Sequence, residues 1–522
     1  MRTIEIFDST LRDGAQGEGI SFSVQDRLNI VRVLDSLGVA YIEAGNPGSN
    51  PKELEFFREA SSLALHHAEL VAFGPTRRKN ISAQEDKNVQ ALLNAGTKTV
   101  AVFGKCWDLH AVKILRTTLE ENLNMIRDTC RFLSEQGKRV IFDAEHFFDG
   151  WQHNAAYAMQ ALSAAAEGGA SCLTLCDTNG GAFPDEVEAV VAAVCEAFPG
   201  LTVGIHCHND GGMAAASSVL AVKAGAGQVQ GTFLGFGERC GNTSLATVIP
   251  TLQLKRGCRC IPPESLSGLT AAAREIAEIS NTSVKKNEPY IGSSAFAHKA
   301  GMHADGVLKD SRSFEHIDPE LVGNERRFLI SEISGRGAVL KKIHKIFPQL
   351  RKDSPELTLI LSELKRLEGS GYQFEGAEAS LELLCRRLLG GYAPFFELIS
   401  YKTLGELPHE GKSSTATLKV RVGDKVKVSA AEGDGPINAL DRALRESLCE
   451  FYPVLESVHL IDYKVRVMDP SDATAATVRV LITSTDGAHV WSTVGLSSDI
   501  IEASWRALVD SIEYRLIKGA GV

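Results

Sequence analysis

Eight apolar, strand-like runs recur through the first half of the chain, each followed by a stretch of helical periodicity, and nothing is left over. That count limits the available folds more than any other feature of the sequence. The runs are TIEIFDST (3–10), YIEAG (41–45), ELVAFG (69–74), TVAVFGK (99–105), RVIFDAE (139–145), CLTLCDT (172–178), VGIHCHND (203–210) and QVQGTFLG (228–235). Between them lie helical patterns such as VQDRLNIVRVLDSLG (24–38), NAAYAMQALSAAAEGG (154–169) and PDEVEAVVAAVCEAF (184–198), several of which stop at glycine. Eight strand–helix pairs predict an α/β chain whose first half is a (β/α)8 barrel. The alternative is a doubly wound open sheet, but no GxGxxG follows the first strand.

Barrel enzymes keep their chemistry at the C-terminal ends of the strands, and polar residues gather there. Strand one runs into Arg12 and Asp13, strand two ends at Glu43, and strand five at Glu145. Strand six ends at Asp177 and Thr178, strand seven at His206 and His208, and strand eight leads into GFGERCGN with Glu238, Arg239 and Asn242. Residues i and i+2 of a strand face one side, so His206 and His208 can reach a common ion. The structural alternative is a pair of hydrogen-bonded core histidines. Closure of strand eight against strand one brings Asp13, His206, His208 and Asn242 together from neighbouring strands, which favours the metal.

The remainder of the chain falls into two further regions, giving expected boundaries of 1–261, 262–390 and 391–522. The middle region is irregular and helical. In the last, INALDRAL (437–444) and IEASWRAL (501–508) share I-x-A-x-x-R-A-L, each after strand-like runs. This predicts a C-terminal α+β domain with a duplicated βββα unit. Such a repeat either packs a dimer interface or holds a small molecule between its halves. The net charge of −10 argues against nucleic acid and against a polybasic membrane contact. Eleven cysteines without paired spacing suggest reduced thiols and a cytoplasmic location, and the CxC of Cys258 and Cys260 cannot close a zinc site alone. The opening MRTIEIFDST reads as a strand rather than a signal peptide, and no apolar run is long enough to span a membrane.

Three motifs identify a resemblance. LRDGAQ (11–16), HCHND (206–210) and GFGERCGN (235–242) resemble the metal-dependent acyl-CoA condensing enzymes of the 2-isopropylmalate synthase/homocitrate synthase family. GNPGSNPKELEFF, FGKCWDLH, FDAEHFFDGW, LCDTNGG, SAFAHKAGMHADGVLK and FEHIDPELVGNERR look like that family's citramalate-forming branch. The likeness covers nearly the whole chain, and the C-terminal repeat is similar to the family's feedback-regulatory domain.

The resemblance implies a TIM-barrel acyltransferase that condenses acetyl-CoA with pyruvate and hydrolyses the thioester, for isoleucine biosynthesis. It implies Asp13, His206 and His208 as metal ligands, with Asn242 at the fourth matching position. Mixed nitrogen and oxygen donors suit Mn²⁺ or Mg²⁺, with Zn²⁺ or Co²⁺ as alternatives. Arg12 matches the arginine that stabilises negative charge on the ketone oxygen, and Thr178 the threonine that binds the oxo-acid carboxylate. Glu145 and His303 match acid–base residues, His303 being delivered from beyond the barrel, as by the partner of a homodimer. Glu43, Asp177, Glu238 and Arg239 match family positions that can equally serve as support. Isoleucine is the implied feedback inhibitor.

One departure stands out. Relatives commonly carry Tyr within the segment matching SRSFEHIDPE, where this chain has Phe314. Either another donor substitutes, such as Ser311, Ser313 or a water, or turnover is reduced. The competing readings are the same reaction on a larger oxo acid, a lyase on the same barrel, and a non-catalytic sensor of an amino acid.

Overall fold

The computed structural model describes residues 2–519 except 50, 300, 329–339, 341–342, 345, 352, 375, 391, 406–410 and 469–475. It divides into two compact units, residues 1–296 with 316–326, and residues 297–315 with 327–522.

In the first unit, eight parallel strands close into a barrel. They are β1 (Glu5–Asp8), β2 (Tyr41–Gly45), β3 (Glu69–Pro75), β4 (Thr99–Lys105), β5 (Arg139–Glu145), β6 (Cys172–Asp177), β7 (Thr202–Cys207) and β8 (Gln228–Gly231). β8 closes on β1 with Glu5 opposite Gln228 and Asp8 opposite Gly231. The helices between them are α1 (Val24–Leu37), α2 (Pro51–Ala60), α3 (Lys87–Asn94), α4 (Leu119–Glu135), α5 (Phe147–Glu167), α6 (Pro184–Ala197) and α7 (Ala214–Ala224), with α8 (Leu245–Pro250) after β8. Local chemistry fixes their ends. Ser23 and Asp26 form a reciprocal capping box at the start of α1, and Gly38 ends it with a φ of 92°, a conformation costly for other residues.

The period-two pattern of the strands sorts side chains into two cores. Ile6, Ile42, Val100, Val140, Leu173, Val203 and Val229 belong to the large cluster shared with the helices. Their neighbours Phe7, Tyr41, Val71, Ala101, Ile141 and Cys172 form a separate cluster inside the barrel. Two residues further along each strand the same inward face turns polar or aromatic, at Glu43, Phe73, Phe103, Asp143 and Thr174. The barrel floor is therefore hydrocarbon, and its mouth is built from carboxylates, a hydroxyl and aromatic rings.

The second unit contains the predicted duplication. A short parallel pair, β9 (Ala297–His298) and β10 (Arg327–Phe328), comes first. It is followed by two antiparallel three-stranded sheets, β11 (Glu397–Gly405), β12 (Ser414–Val422), β13 (Lys425–Gly433) and β14 (His459–Val467), β15 (Val478–Thr485), β16 (Val490–Ser497). Helix Pro436–Leu448 follows the first sheet and helix Ile500–Gly519 the second, so each copy is a βββα unit. No helix among the described residues is long and apolar enough to cross a membrane.

Candidate active site

The mouth of the barrel encloses a cavity of about 230 Å³ lined by Arg12, Asp13, Gln16, Phe73, Phe103, Asp143, Glu145, Cys176, Thr178, His206, His208, Glu238 and Arg239. The site grows from three turns. After β1, the chain turns so that Asp13 N–H meets the Ser9 hydroxyl at 3.3 Å, which sets Arg12 and Asp13 over the barrel end. β7 stops at Cys207, one residue short of His208. The two histidines thus do not share a regular strand, as the alternation implied. His208 instead pairs with Asn242 in an isolated antiparallel bridge, and that bridge brings both imidazoles to one side, with ring centroids 5.3 Å apart.

Asp13 lies 3.5 Å from His206 Nε2 and 3.8 Å from His208 Nε2, and all three residues are buried. One donor atom from each lies within 4.8 Å of the other two. Burial alone would raise the Asp13 pKa, but the Arg12 charge, both imidazoles and an Asn242 hydrogen bond hold it down at about 2. Burial lowers His206 to about 4 and also lowers His208. The arrangement is one carboxylate and two neutral imidazoles, the donor set that a divalent cation requires. Asn242 donates from Nδ2 to Asp13 Oδ1 at 3.0 Å, while its Oδ1 is buried with no hydrogen-bond partner among the described residues. Gly237, at a φ of 147°, keeps the approach open, since a Cβ there would meet Asn242 Nδ2 at 2.3 Å. These residues fit a metal ion.

Arg12 is held on three sides. Its Nε donates to Glu43 at 2.7 Å, its Nη1 to Asp13 at 3.1 Å, and its guanidinium stacks 3.8 Å from the centre of the Phe73 ring. Burial opposes its charge, but Glu43 and Asp13 outweigh burial and raise its pKa. Glu43 is fully buried, which raises its own pKa against the pull of Arg12 and a hydrogen bond from Ser9. Thr178 accepts the His146 N–H at 2.9 Å, leaving its hydroxyl proton available to another acceptor. Glu145 closes the opposite wall, paired with Lys105 on the adjacent strand.

The other matched positions separate from these. Asp177 caps backbone amides of Gly181 and Ala182, each at 3.2 Å, and does not line the cavity. Arg239 lines it while bound to Asp210 at 2.8 Å. His303 lies in the second unit, on α9 (Gly301–Lys309), exposed and stacked 4.2 Å from the Phe314 ring. Ser313 donates its hydroxyl to the Asp310 carbonyl at 2.7 Å.

Several cavity residues escaped sequence reasoning. Phe73 and Phe103, stacked 5.0 Å apart, form its apolar wall. Asp143, two residues before Glu145 on the same inward face, has its pKa raised to about 7 by burial and by the Glu43 charge. Period-two counting back from Glu145 was the signal that could have found it.

The comparisons with known proteins follow this geometry. Residues 3–277 match the HMGL-like family model, residues 290–371 the homocitrate synthase post-HMGL domain-like model, and residues 375–516 the LeuA allosteric (dimerisation) domain. The (R)-citramalate synthase of Aquifex aeolicus is 49% identical over 99% of this chain and 98% of that protein. Its namesake in Synechocystis is 48% identical over 98% of this chain and 96% of that protein. The chain belongs to the HMGL-like family, on its (R)-citramalate synthase branch. As a member of that branch it is an enzyme. A 2-isopropylmalate synthase of Methanocaldococcus jannaschii stands further off, at 29% identity over 99% of this chain and 95% of that protein. Among solved structures, a Bacillus subtilis HMG-CoA lyase is 21% identical, covering 54% of this chain and 96% of that chain with a TM-score of 0.47. That likeness adds nothing to the assignment.

Proposed function

We propose that the chain condenses acetyl-CoA with pyruvate and hydrolyses the thioester, releasing (R)-citramalate and CoA. The observation that carries the chemistry is the convergence of Arg12, the Asp13–His206–His208 triad, Thr178 and Glu145 on one cavity. The Phe73–Phe103 wall, which narrows the cavity beside Arg12, supports a small oxo acid over a larger one.

A divalent cation held by Asp13, His206 and His208, with Asn242 beside them, would supply Lewis acidity toward the ketone oxygen; Mn²⁺ or Mg²⁺ suits it, with Zn²⁺ or Co²⁺ as alternatives. Arg12 offers fixed positive charge to that oxygen as the carbonyl π pair moves onto it, while the deprotonated acetyl carbon supplies the pair for the new carbon–carbon bond. The Thr178 hydroxyl binds the pyruvate carboxylate. Glu145 and His303 share the acid–base work of taking the acetyl methyl proton and returning one to the alkoxide. Water then adds to the thioester carbonyl, the C–S bond breaks, and CoA leaves as the thiol.

The working form we infer is a cytoplasmic homodimer inhibited by isoleucine, with residues 1–261 catalytic, 262–390 carrying His303 to the site, and 391–522 regulatory. Exposed apolar side chains on the sheets, Val426, Val428, Val465 and Val467 among them, support burial against a second copy. Thiol release from acetyl-CoA, measured with a panel of 2-oxo acids, tests the reading. Pyruvate should be the fastest, chelation should abolish the reaction and Mn²⁺ or Mg²⁺ should restore it. Faster release with a branched or longer oxo acid would reassign the substrate. Isoleucine that neither binds in calorimetry nor inhibits would leave the repeat to dimerisation alone.

A further inference from the structure

Gln230 is fully buried on β8, directly opposite His206 of β7 in the sheet register. Its carboxamide has one allowed orientation. Nε2 lies 2.9 Å from Asp143 Oδ1, 3.1 Å from Thr174 Oγ1 and 3.3 Å from Gln228 Oε1, three acceptors around one donor group. Turned over, the amide would press its oxygen onto the Gln228 carbonyl, whose orientation is fixed because Gln228 Nε2 donates to Glu5 at 3.3 Å. Oε1 therefore faces His206 Nδ1, at 3.1 Å.

A carbonyl oxygen has no proton to give, so Nδ1 must carry the proton of the neutral imidazole. The lone pair is left on Nε2, the atom 3.5 Å from Asp13 Oδ2. Two lone-pair atoms held face to face repel each other unless a cation lies between them. His208 receives no such help, because its Nδ1 is buried with no hydrogen-bond partner among the described residues.

We propose that Gln230 is a positioning residue for the metal: its carboxamide, clamped by Asp143 and Thr174, fixes His206 in the Nδ1–H tautomer and presents Nε2 to a divalent cation. The inference rests on the metal reading of the Asp13–His206–His208 site. It makes the Asp143–Gln230–His206 line a single unit in which an acidic group two residues from Glu145 sets the ligand geometry without touching the ion. Partners behind a metal-bound histidine typically change metal affinity by about 10- to 100-fold when lost.

The test is Mn²⁺ binding to the metal-stripped full-length protein, followed by titration calorimetry. Wild type should bind and Asp13→Ala should not; a wild type that binds no Mn²⁺ removes the metal reading and this inference with it. Gln230→Leu should weaken Mn²⁺ by about 10- to 100-fold with an unchanged circular dichroism spectrum. Gln230→Glu should also bind weakly, since it puts an oxygen against the Gln228 carbonyl and takes away the amide protons that Asp143 and Thr174 accepted. Adding Asp143→Asn to it should restore affinity to within about threefold of wild type, because the new amide donates to the new carboxylate. A folded Gln230→Leu that binds Mn²⁺ as tightly as wild type overturns the inference. So does a Gln230→Glu variant that is unimpaired or that Asp143→Asn fails to rescue, and this pair decides the matter if Gln230→Leu does not fold.

Discussion

The barrel mouth and the C-terminal sheets depart from ordinary globular construction in opposite directions. At the mouth the fold buries ionisable groups, with Asp13, Glu43, Asp143 and both histidines almost fully enclosed. On the sheets it exposes hydrocarbon, leaving Val428 58% and Val467 46% accessible. An isolated chain gains from neither. Buried charges are tolerated only when paired, and the mouth pairs them within one chain through the Glu43–Arg12–Asp13 line. Exposed apolar strands are tolerated only when something covers them, and among the described residues nothing fully covers Val465 and Val467 on β14. The comparison teaches where each region's partner comes from: the charges at the mouth are paired within the chain, while the cover for the sheets is the second copy proposed above.

If that contrast is right, substitutions at the mouth should act on chemistry and substitutions on the sheets on assembly. The largest effect is expected at Arg12. Lysine keeps the charge but cannot bond Glu43 and Asp13 together while lying flat on Phe73. Arg12→Lys should lower kcat by at least about 100-fold, the scale of a lost transition-state electrostatic contact. A near-wild-type kcat would demote Arg12 to structure. Next, Val465→Lys with Val467→Lys should weaken the dimer by about 10-fold or more, from apolar burial lost at two positions. Sedimentation at several concentrations measures it. An unchanged dimer would mean that this strand faces solvent in the assembly.

The two regions were also unequally legible from sequence. β2, β4 and β5 begin and end where their runs do, because strands buried on both sides are predominantly apolar and stand out from the helical periodicity around them. β7 and β8 proved shorter than their runs, VGIHCHND and QVQGTFLG, since the chain leaves the sheet to build the His208–Asn242 bridge. Asp13, His206, His208 and Arg12 announced themselves as charged residues at strand ends. Gln230, Asp143 and the Phe73–Phe103 wall did not, because a glutamine or phenylalanine inside a strand looks like ordinary filling until its neighbours are known. In the C-terminal half, the repeated I-x-A-x-x-R-A-L marked both helices. It carried no information on which sheet face would be left open.

A smaller effect concerns the stability of the barrel against pH. Asp8 is fully buried on β1 and accepts the Thr10 N–H at 2.8 Å, but burial raises its pKa from 3.8 to about 7. It thus stays protonated in the fold at a pH where the unfolded chain has released its proton. The unfolded state then binds fewer protons, so this group's contribution to stability declines as pH rises from about 4 to about 7 and stays level above. Asp8→Asn cannot ionise and should flatten that decline, raising the melting temperature at pH 8 relative to pH 5 by a few degrees, about 1 kcal/mol or more. Identical pH dependence in the variant and wild type would show that Asp8 is not the group responsible.

The smallest effect, and the one that probes the second unit's share in chemistry, is expected at Phe314. Its ring stacks on His303 at 4.2 Å and 25°, so it already sets the orientation of an acid–base candidate. A phenylalanine can hold that imidazole but cannot donate a hydrogen bond. Ser313, a neighbouring hydroxyl, is committed to the Asp310 carbonyl. Phe314→Tyr keeps the stacking face and adds a donor at the ring's far edge, on a residue that is already 42% exposed. If the absent hydroxyl limits the proton step, kcat should rise by about two- to fivefold, the value of one added hydrogen bond. The preference for pyruvate over larger oxo acids should not move, because under the proposed function that choice belongs to the cavity wall of Phe73 and Phe103. A shift in oxo-acid preference would place Phe314 against the substrate itself, and an unchanged or lower kcat would mean the site already has its donor.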